Sequence, residues 1–112
     1  MNMKLIKCIV RTHRADATMD ALKEIDLSGF TVTVVGGSGR AANPQTTWGG
    51  RRMEYRYMPK TMIDVLVADD VVDDVVRIVI DNARTGERGD GRLMIIPVEQ
   101  AYTIRTRAGG PD

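Results

Sequence analysis

The sequence predicts an α+β fold of the ferredoxin-like kind, a βαββαβ sandwich in which four antiparallel strands carry both helices on one face. Three observations lead there. Four short apolar runs rich in β-branched residues occur at 4–10, 30–35, 60–67 and 92–98. Two stretches of helical spacing lie between the first and second and between the third and fourth. The second and third runs are joined by a long segment of neither period.

In chain order, "KLIKCIV" reads as the first strand. "ADATMDALKEI", 15 to 25, places Met19, Leu22 and Ile25 on one helical stripe behind Asp16 as a cap. "FTVTVV" alternates Phe30, Val32 and Val34 against Thr31 and Thr33, the period of a half-buried strand. From Gly36 to Arg56 the text is rich in Gly, Asn, Pro and Thr and predicts a loop. "KTMIDVLV" returns to strand, Asp69 is expected to cap the second helix, and Val72, Val75, Val76, Val79 and Ala83 share one helical face. "RLMIIPV" is the last long strand and "AYTIRTR" a short extended tail.

A chain of 112 residues is long enough for one core and too short for two. Its net charge of +1 provides no general basic field, which argues against nucleic acid as a partner and confines any anion site to a local cluster. The single cysteine, Cys8, lies in an apolar run and reads as core, so no internal disulfide is expected. One cysteine and one histidine offer no metal cluster; His13 is placed at the end of the first strand, as a solvated turn residue. No run approaches about 18 apolar residues, so membrane insertion is not expected and a cytoplasmic protein is. Two helices cover only one sheet face, yet three strands are apolar on both. Leu5, Ile9, Ile63, Val65 or their neighbours would be left wet, which predicts packing against other subunits.

The densest chemistry is "RTGERGDGR", 84 to 92. A helix C terminus repels anions, but Gly86, Gly89 and Gly91 allow successive N–H groups to converge, and Arg84, Arg88 and Arg92 add charge. The alternative is that Gly86 merely closes the helix and "GDG" turns into the next strand. "VVGGSGRAANPQ" puts more glycines after a strand but lacks Walker spacing. Trp48 and Tyr55 are costly residues to leave on an idle loop. Paired carboxylates and a Ser/His/Asp order are both missing, so no catalytic residues are assigned. The strands lack the aromatics of an RNA-stacking sheet, and the long loop has no place in an acylphosphatase.

With both glycine loops on this element order, the chain resembles the PII family of nitrogen regulatory signal transduction proteins. The resemblance rests on "MKLIKCIVR", "GFTVTVVGGSGR", "MPKTMIDVLVADDVVDDVV" and "ARTGERGDGRLMIIPVEQAYTIRT". Its most specific element is "TGERGDGR", similar to the family's Thr-Gly-x-x-Gly-Asp-Gly-Lys with arginine for lysine.

The resemblance implies a homotrimer that binds ADP, AMP or ATP in clefts between subunits and performs no turnover. It implies a T-loop at 37–57 that contacts a regulated transporter or enzyme, a B-loop at 84–92 and a C-terminal segment at 99–112. Carried over by position, Thr31, Gly37, Gly39 and Arg40 match one side of the nucleotide cleft, Lys60 the lysine at the foot of the T-loop, and Gly89, Asp90, Gly91, Arg92 and Arg105 the phosphate-binding side; Ser38, Leu66 and Thr103 are counted with the site.

Departures from the family pattern carry their own implications. Ala41 stands where the family has a glutamine that helps hold magnesium and 2-oxoglutarate, so sensing of 2-oxoglutarate in the usual way is not implied. Thr103 stands where an arginine reaches the terminal phosphates, which favours ADP or AMP over ATP. Met53 replaces the tyrosine that is uridylylated in many members. The T-loop must therefore read a different partner. Arg51 and Arg52 are either an anion pair, for bicarbonate, as in relatives linked to bicarbonate uptake or carboxysomes, or a basic tip facing a partner. The alternative is a nitrogen regulator of standard or nitrogenase-linked type, sensing ATP, ADP and 2-oxoglutarate.

Overall fold

The computed structural model describes residues 2–37, 47–48, 51–52 and 58–111. The elements are β1 (Met3–Arg11), α1 (Thr12–Leu22), β2 (Thr31–Gly37), β3 (Thr47–Trp48), β4 (Arg51–Arg52), β5 (Met58–Ala68), α2 (Val72–Ala83) and β6 (Gly91–Val98). The main sheet runs β2-β5-β1-β6 with every neighbouring pair antiparallel, and the two helices pack against each other and the sheet, so the predicted βαββαβ sandwich is the observed one.

Period-two alternation decides the core. Ile6, Cys8 and Val10 on β1 lie opposite Val65, Ile63 and Thr61 on β5, and all six are buried beneath Ala15, Thr18 and Leu22 of α1 and Val75, Val79 and Ala83 of α2. Ile63 and Val65 thus belong to the covered face, against the expectation that they would be wet. The uncovered face carries their neighbours Met62 and Leu66 with Leu5 and Ile9, none fully buried. Cys8 is core as expected, its thiol pushed up to about 12 by burial, with the Asp64 carboxylate adding to the shift.

Tertiary contacts move several predicted boundaries. The first helix begins at Thr12, not behind Asp16, and its N-cap is Arg11 with no side-chain cap. That start is held from outside: the Thr61 hydroxyl lies 3.1 Å from the Thr12 hydroxyl, and Arg14 donates through Nε and Nη2 to the Asn82 carbonyl at the end of α2, at 2.8 and 2.5 Å. His13 therefore sits in the helix rather than on a turn. The helix ends at Leu22, so Ile25 lies beyond it, although it still packs against the core. Asp69 does not cap α2. It begins a single 3-10 turn, Asp69–Val71, and its carboxylate takes Lys4 at 2.6 Å.

Phe30, just before β2, packs against the core, but Val32 and Val34 on this edge strand are 46% and 72% exposed. The segment read as a loop from Gly36 begins inside β2, and it contains an antiparallel pair with Thr47 opposite Arg52 and Trp48 opposite Arg51. The C-terminal stretch is not extended. It folds back with Tyr102 bridged to Gly109, Thr103 N–H donating to the Ala108 carbonyl at 2.8 Å and Gly110 N–H to that of Ala101 at 3.2 Å. Among the described residues no helix is long and apolar enough to cross a membrane.

Candidate functional site

α2 delivers the chain at Ala83, Arg84 adopts an extended backbone, and the loop from there to Arg92 folds around one carboxylate. Asp90 Oδ1 accepts from the Thr85 hydroxyl at 2.5 Å and from Arg11 Nε at 3.0 Å. Its Oδ2 accepts from the backbone N–H of Thr85 at 2.8 Å and of Gly86 at 2.9 Å. Burial alone would raise this carboxyl, but the Thr85 hydroxyl, the Arg11 guanidinium and the two amides outweigh it and hold Asp90 well below the usual carboxylate range.

Two cations reach the loop from the sheet. Arg11 and Lys60 face each other across the β1–β5 pair. Arg11 Nη2 donates to the Arg88 carbonyl at 2.7 Å, and Lys60 Nζ donates to the Gly89 carbonyl. Lys60 is held below its ordinary value by burial and by the Arg11 charge, partly offset by Asp90. Two glycines are required for this packing. Gly91 has φ +108°, and a Cβ there would lie 1.7 Å from the Ile9 carbonyl oxygen. Gly89 has φ +96°, and a Cβ there would lie 3.3 Å from Arg11 Nη2.

The remaining arginines are arranged differently. Arg84, Arg88 and Arg92 are exposed and form no ion pair with the described residues. Arg84 and Arg92 edge a hollow of about 280 Å³ whose floor is Ile9, Val79, Ile80, Ala83 and Leu93. A cluster of unpaired guanidiniums beside a glycine loop is chemistry for a phosphate or another small anion.

The predicted residues do not all come together. Lys60, Gly89, Asp90, Gly91 and Arg92 come together at the loop. Thr31, opposite Asp64, and Leu66, opposite Leu5, lie farther along the uncovered sheet face. Leu66 is six positions from Lys60 along β5, about 20 Å of strand. Thr103 and Arg105 belong to the C-terminal turn. Gly37 closes β2 opposite Met58, whereas Ser38, Gly39, Arg40 and Tyr55 lie outside the described residues. Trp48, Arg51 and Arg52 lie on the β3–β4 pair.

Two contacts qualify the reading of the loop. The Asp90 carboxylate is directed inward, so Asp90 can meet a ligand only through its backbone. It also takes the amides of Thr85 and Gly86, so of the nest expected at Gly86, Gly89 and Gly91 the Gly86 amide is already occupied. Sequence reasoning missed Arg11 and Thr85 as parts of the site. The cross-strand register that sets Arg11 beside Lys60 was the available signal, and it becomes visible only once β1 is paired with β5.

A ferredoxin-like sandwich with a glycine- and arginine-rich loop tied to its sheet is the class this arrangement defines. The family model described as nitrogen regulatory protein P-II matches residues 3–108. The nitrogen regulatory protein P-II of Cereibacter sphaeroides is 36% identical over 110 residues, 98% of each chain. The nitrogen fixation nifHD region glnB-like protein 1 of Methanococcus maripaludis is 35% identical over 108 residues, 96% of this chain and 99% of its own. Nitrogen regulatory protein GlnK of Escherichia coli K12 is 36% identical over 104 residues, 93% of each. Among solved structures, Arabidopsis thaliana PII bound to citrate superposes with a TM-score of 0.76 at 29% identity, covering 96% of this chain and 85% of that one. The chain belongs to the nitrogen regulatory P-II family, whose members are signal transducers and not enzymes.

Proposed function

We propose that the chain acts as a homotrimer that binds adenine nucleotides, ADP and AMP in preference to ATP, in clefts between subunits, and controls a partner protein through residues 37–57 of the T-loop. The observation that carries the nucleotide reading is the 84–92 loop. Of its two acids, Asp90 is neutralised internally and Glu87 is exposed, while Arg84, Arg88 and Arg92, one charge more than the acids, stay available to phosphate oxygens.

Two features support a cleft completed by a second chain. At about 280 Å³ the hollow beside the loop is at the small end for enclosing a ligand. The uncovered sheet face holds Leu5, Ile9, Met62 and Leu66 around a Lys7–Asp64 pair at 3.7 Å. One oxygen of Asp64 is buried without a hydrogen-bond partner among the described residues. Such a face favours a neighbour that removes its apolar surface from water. The preference for ADP and AMP follows from Thr103, which brings no charge to the terminal phosphates. The described relatives carry nitrogen-regulation names, one of them from a nitrogen-fixation region, and this supports a partner in nitrogen metabolism over the bicarbonate assignment for Arg51 and Arg52. The proposed setting is the cytoplasm.

Calorimetry with AMP, ADP and ATP, each with and without 2-oxoglutarate or bicarbonate, tests this reading alongside light scattering for mass. ADP binding at three sites per trimer is expected, with 2-oxoglutarate adding little to ATP. A chain that stays monomeric, or that binds none of the three nucleotides, overturns it.

A further inference from the structure

The uses made of the Arg88 and Gly89 carbonyls have a geometric consequence. A trans peptide unit is planar, with its C=O and N–H pointing in opposite directions. Arg11 draws the Arg88 carbonyl toward the sheet, and Lys60 draws the Gly89 carbonyl the same way. The N–H groups of those two peptide units, belonging to Gly89 and Asp90, therefore project away from the cations. Neither makes a hydrogen bond with the described residues. Meanwhile the Asp90 side chain, which would repel an anion, is tied inward by Thr85 and by the same Arg11.

Resting on the nucleotide reading above, we propose that Arg11 is a positioning residue for phosphate recognition. Its Nε–Nη2 edge clamps the Asp90 carboxylate and the Arg88 carbonyl together, and this aims the Gly89 and Asp90 amides at the phosphate tail. It acts through the loop rather than on the ligand, since that edge of the guanidinium is spent on Asp90 and Arg88 at 3.0 and 2.7 Å. Lysine cannot replace it fully, because one ammonium does not span both acceptors in a fixed fork.

The test uses the full-length protein with ADP, inorganic pyrophosphate and adenosine as probes, and with the thermal midpoint measured for every variant. Arg11→Gln should weaken ADP and pyrophosphate roughly tenfold, the order of one lost charge-assisted hydrogen bond, and leave adenosine unchanged. Arg11→Lys should recover part of that loss. The Gly89 and Asp90 amide resonances should shift on adding pyrophosphate to the parent protein and stay put in Arg11→Gln. Thr85→Val, which cuts the same tether to Asp90, should weaken pyrophosphate too, and the double variant should be no worse than the poorer single one. Should Arg11→Gln not fold, Arg11→Lys and Thr85→Val decide by the same pyrophosphate and amide measurements. Parent-like ADP affinity in a folded Arg11 variant, or full additivity with Thr85→Val, overturns the inference. Absence of adenylate and pyrophosphate binding in the parent protein overturns instead the reading on which it rests.

Discussion

Two stretches rich in glycine and arginine follow apolar elements in this chain, and they are built in opposite ways. The 84–92 loop is tied to distant strands: Asp90 to Arg11, Arg88 to Arg11 and Gly89 to Lys60. The C-terminal turn is closed by local backbone contacts, Tyr102–Gly109, Thr103–Ala108 and Gly110–Ala101, and its tip residue Ile104 is 95% exposed. Similar composition therefore yields one loop anchored to the sheet and one turn closed by local bonds with its apolar tip in water. The difference lies in long-range partners. A loop held by charge-assisted bonds to a sheet has met its ordering cost before any ligand arrives, whereas a locally closed turn has not.

The sharpest way to break the comparison is Gly91→Ala. A Cβ 1.7 Å from the Ile9 carbonyl, at φ +108°, forces β6 away from β1 at the loop's exit. A loss of roughly 3 kcal/mol or more is expected in denaturant unfolding. A small loss would show that the strand end yields easily.

Next comes Asp90→Asn, which replaces a charged acceptor of four donors by a neutral amide. About 1 to 3 kcal/mol should be lost, with faster amide exchange in 84–90 and none of it transmitted to 101–110. Equal loosening of both stretches would erase the distinction drawn between them.

Acid should sharpen it. Because folding depresses the Asp90 carboxyl, its contribution is fully present above the unfolded value near ~3.9 and is lost as pH falls from there through the folded value. Exchange protection of the Thr85 and Gly86 amides should thus hold from neutral pH to about 4 and decline below it. In Asp90→Asn that decline should vanish. A decline near neutrality would assign the protection to another group.

The smallest effect is expected at the other stretch. Ile104→Ser should change stability by no more than about 0.5 kcal/mol, since the side chain is almost wholly in water. A drop above about 1 kcal/mol would mean that the tip is packed in the assembled protein.

Much of this was legible in the residues themselves. Short β-branched apolar runs such as "KLIKCIV" and "KTMIDVLV" point to strands, and the spacing of Val75, Val79 and Ala83 points to the helix face that is buried. Boundaries failed where side chains from elsewhere decide them. Arg14 and Thr61 start α1 three residues early, and Lys4 takes Asp69 away from a capping role. Within the candidate site, the glycines and arginines of "TGERGDGR" mark the loop, but the contacts inside it are not legible in them. The Asp90 carboxylate is the loop's internal anchor.

By itself the sequence determined which elements form, in what order, and which faces are apolar, because periodicity and glycine placement are local properties of the chain. Only the tertiary structure decided which charges meet. Arg11 and Asp90 stand 79 positions apart, and nothing near either one reveals that β1 will lie between β5 and β6 and so bring a guanidinium under the loop. Electrostatic partnership depends on distance through space, and pairing between strands is what turns a long separation along the chain into 3.0 Å.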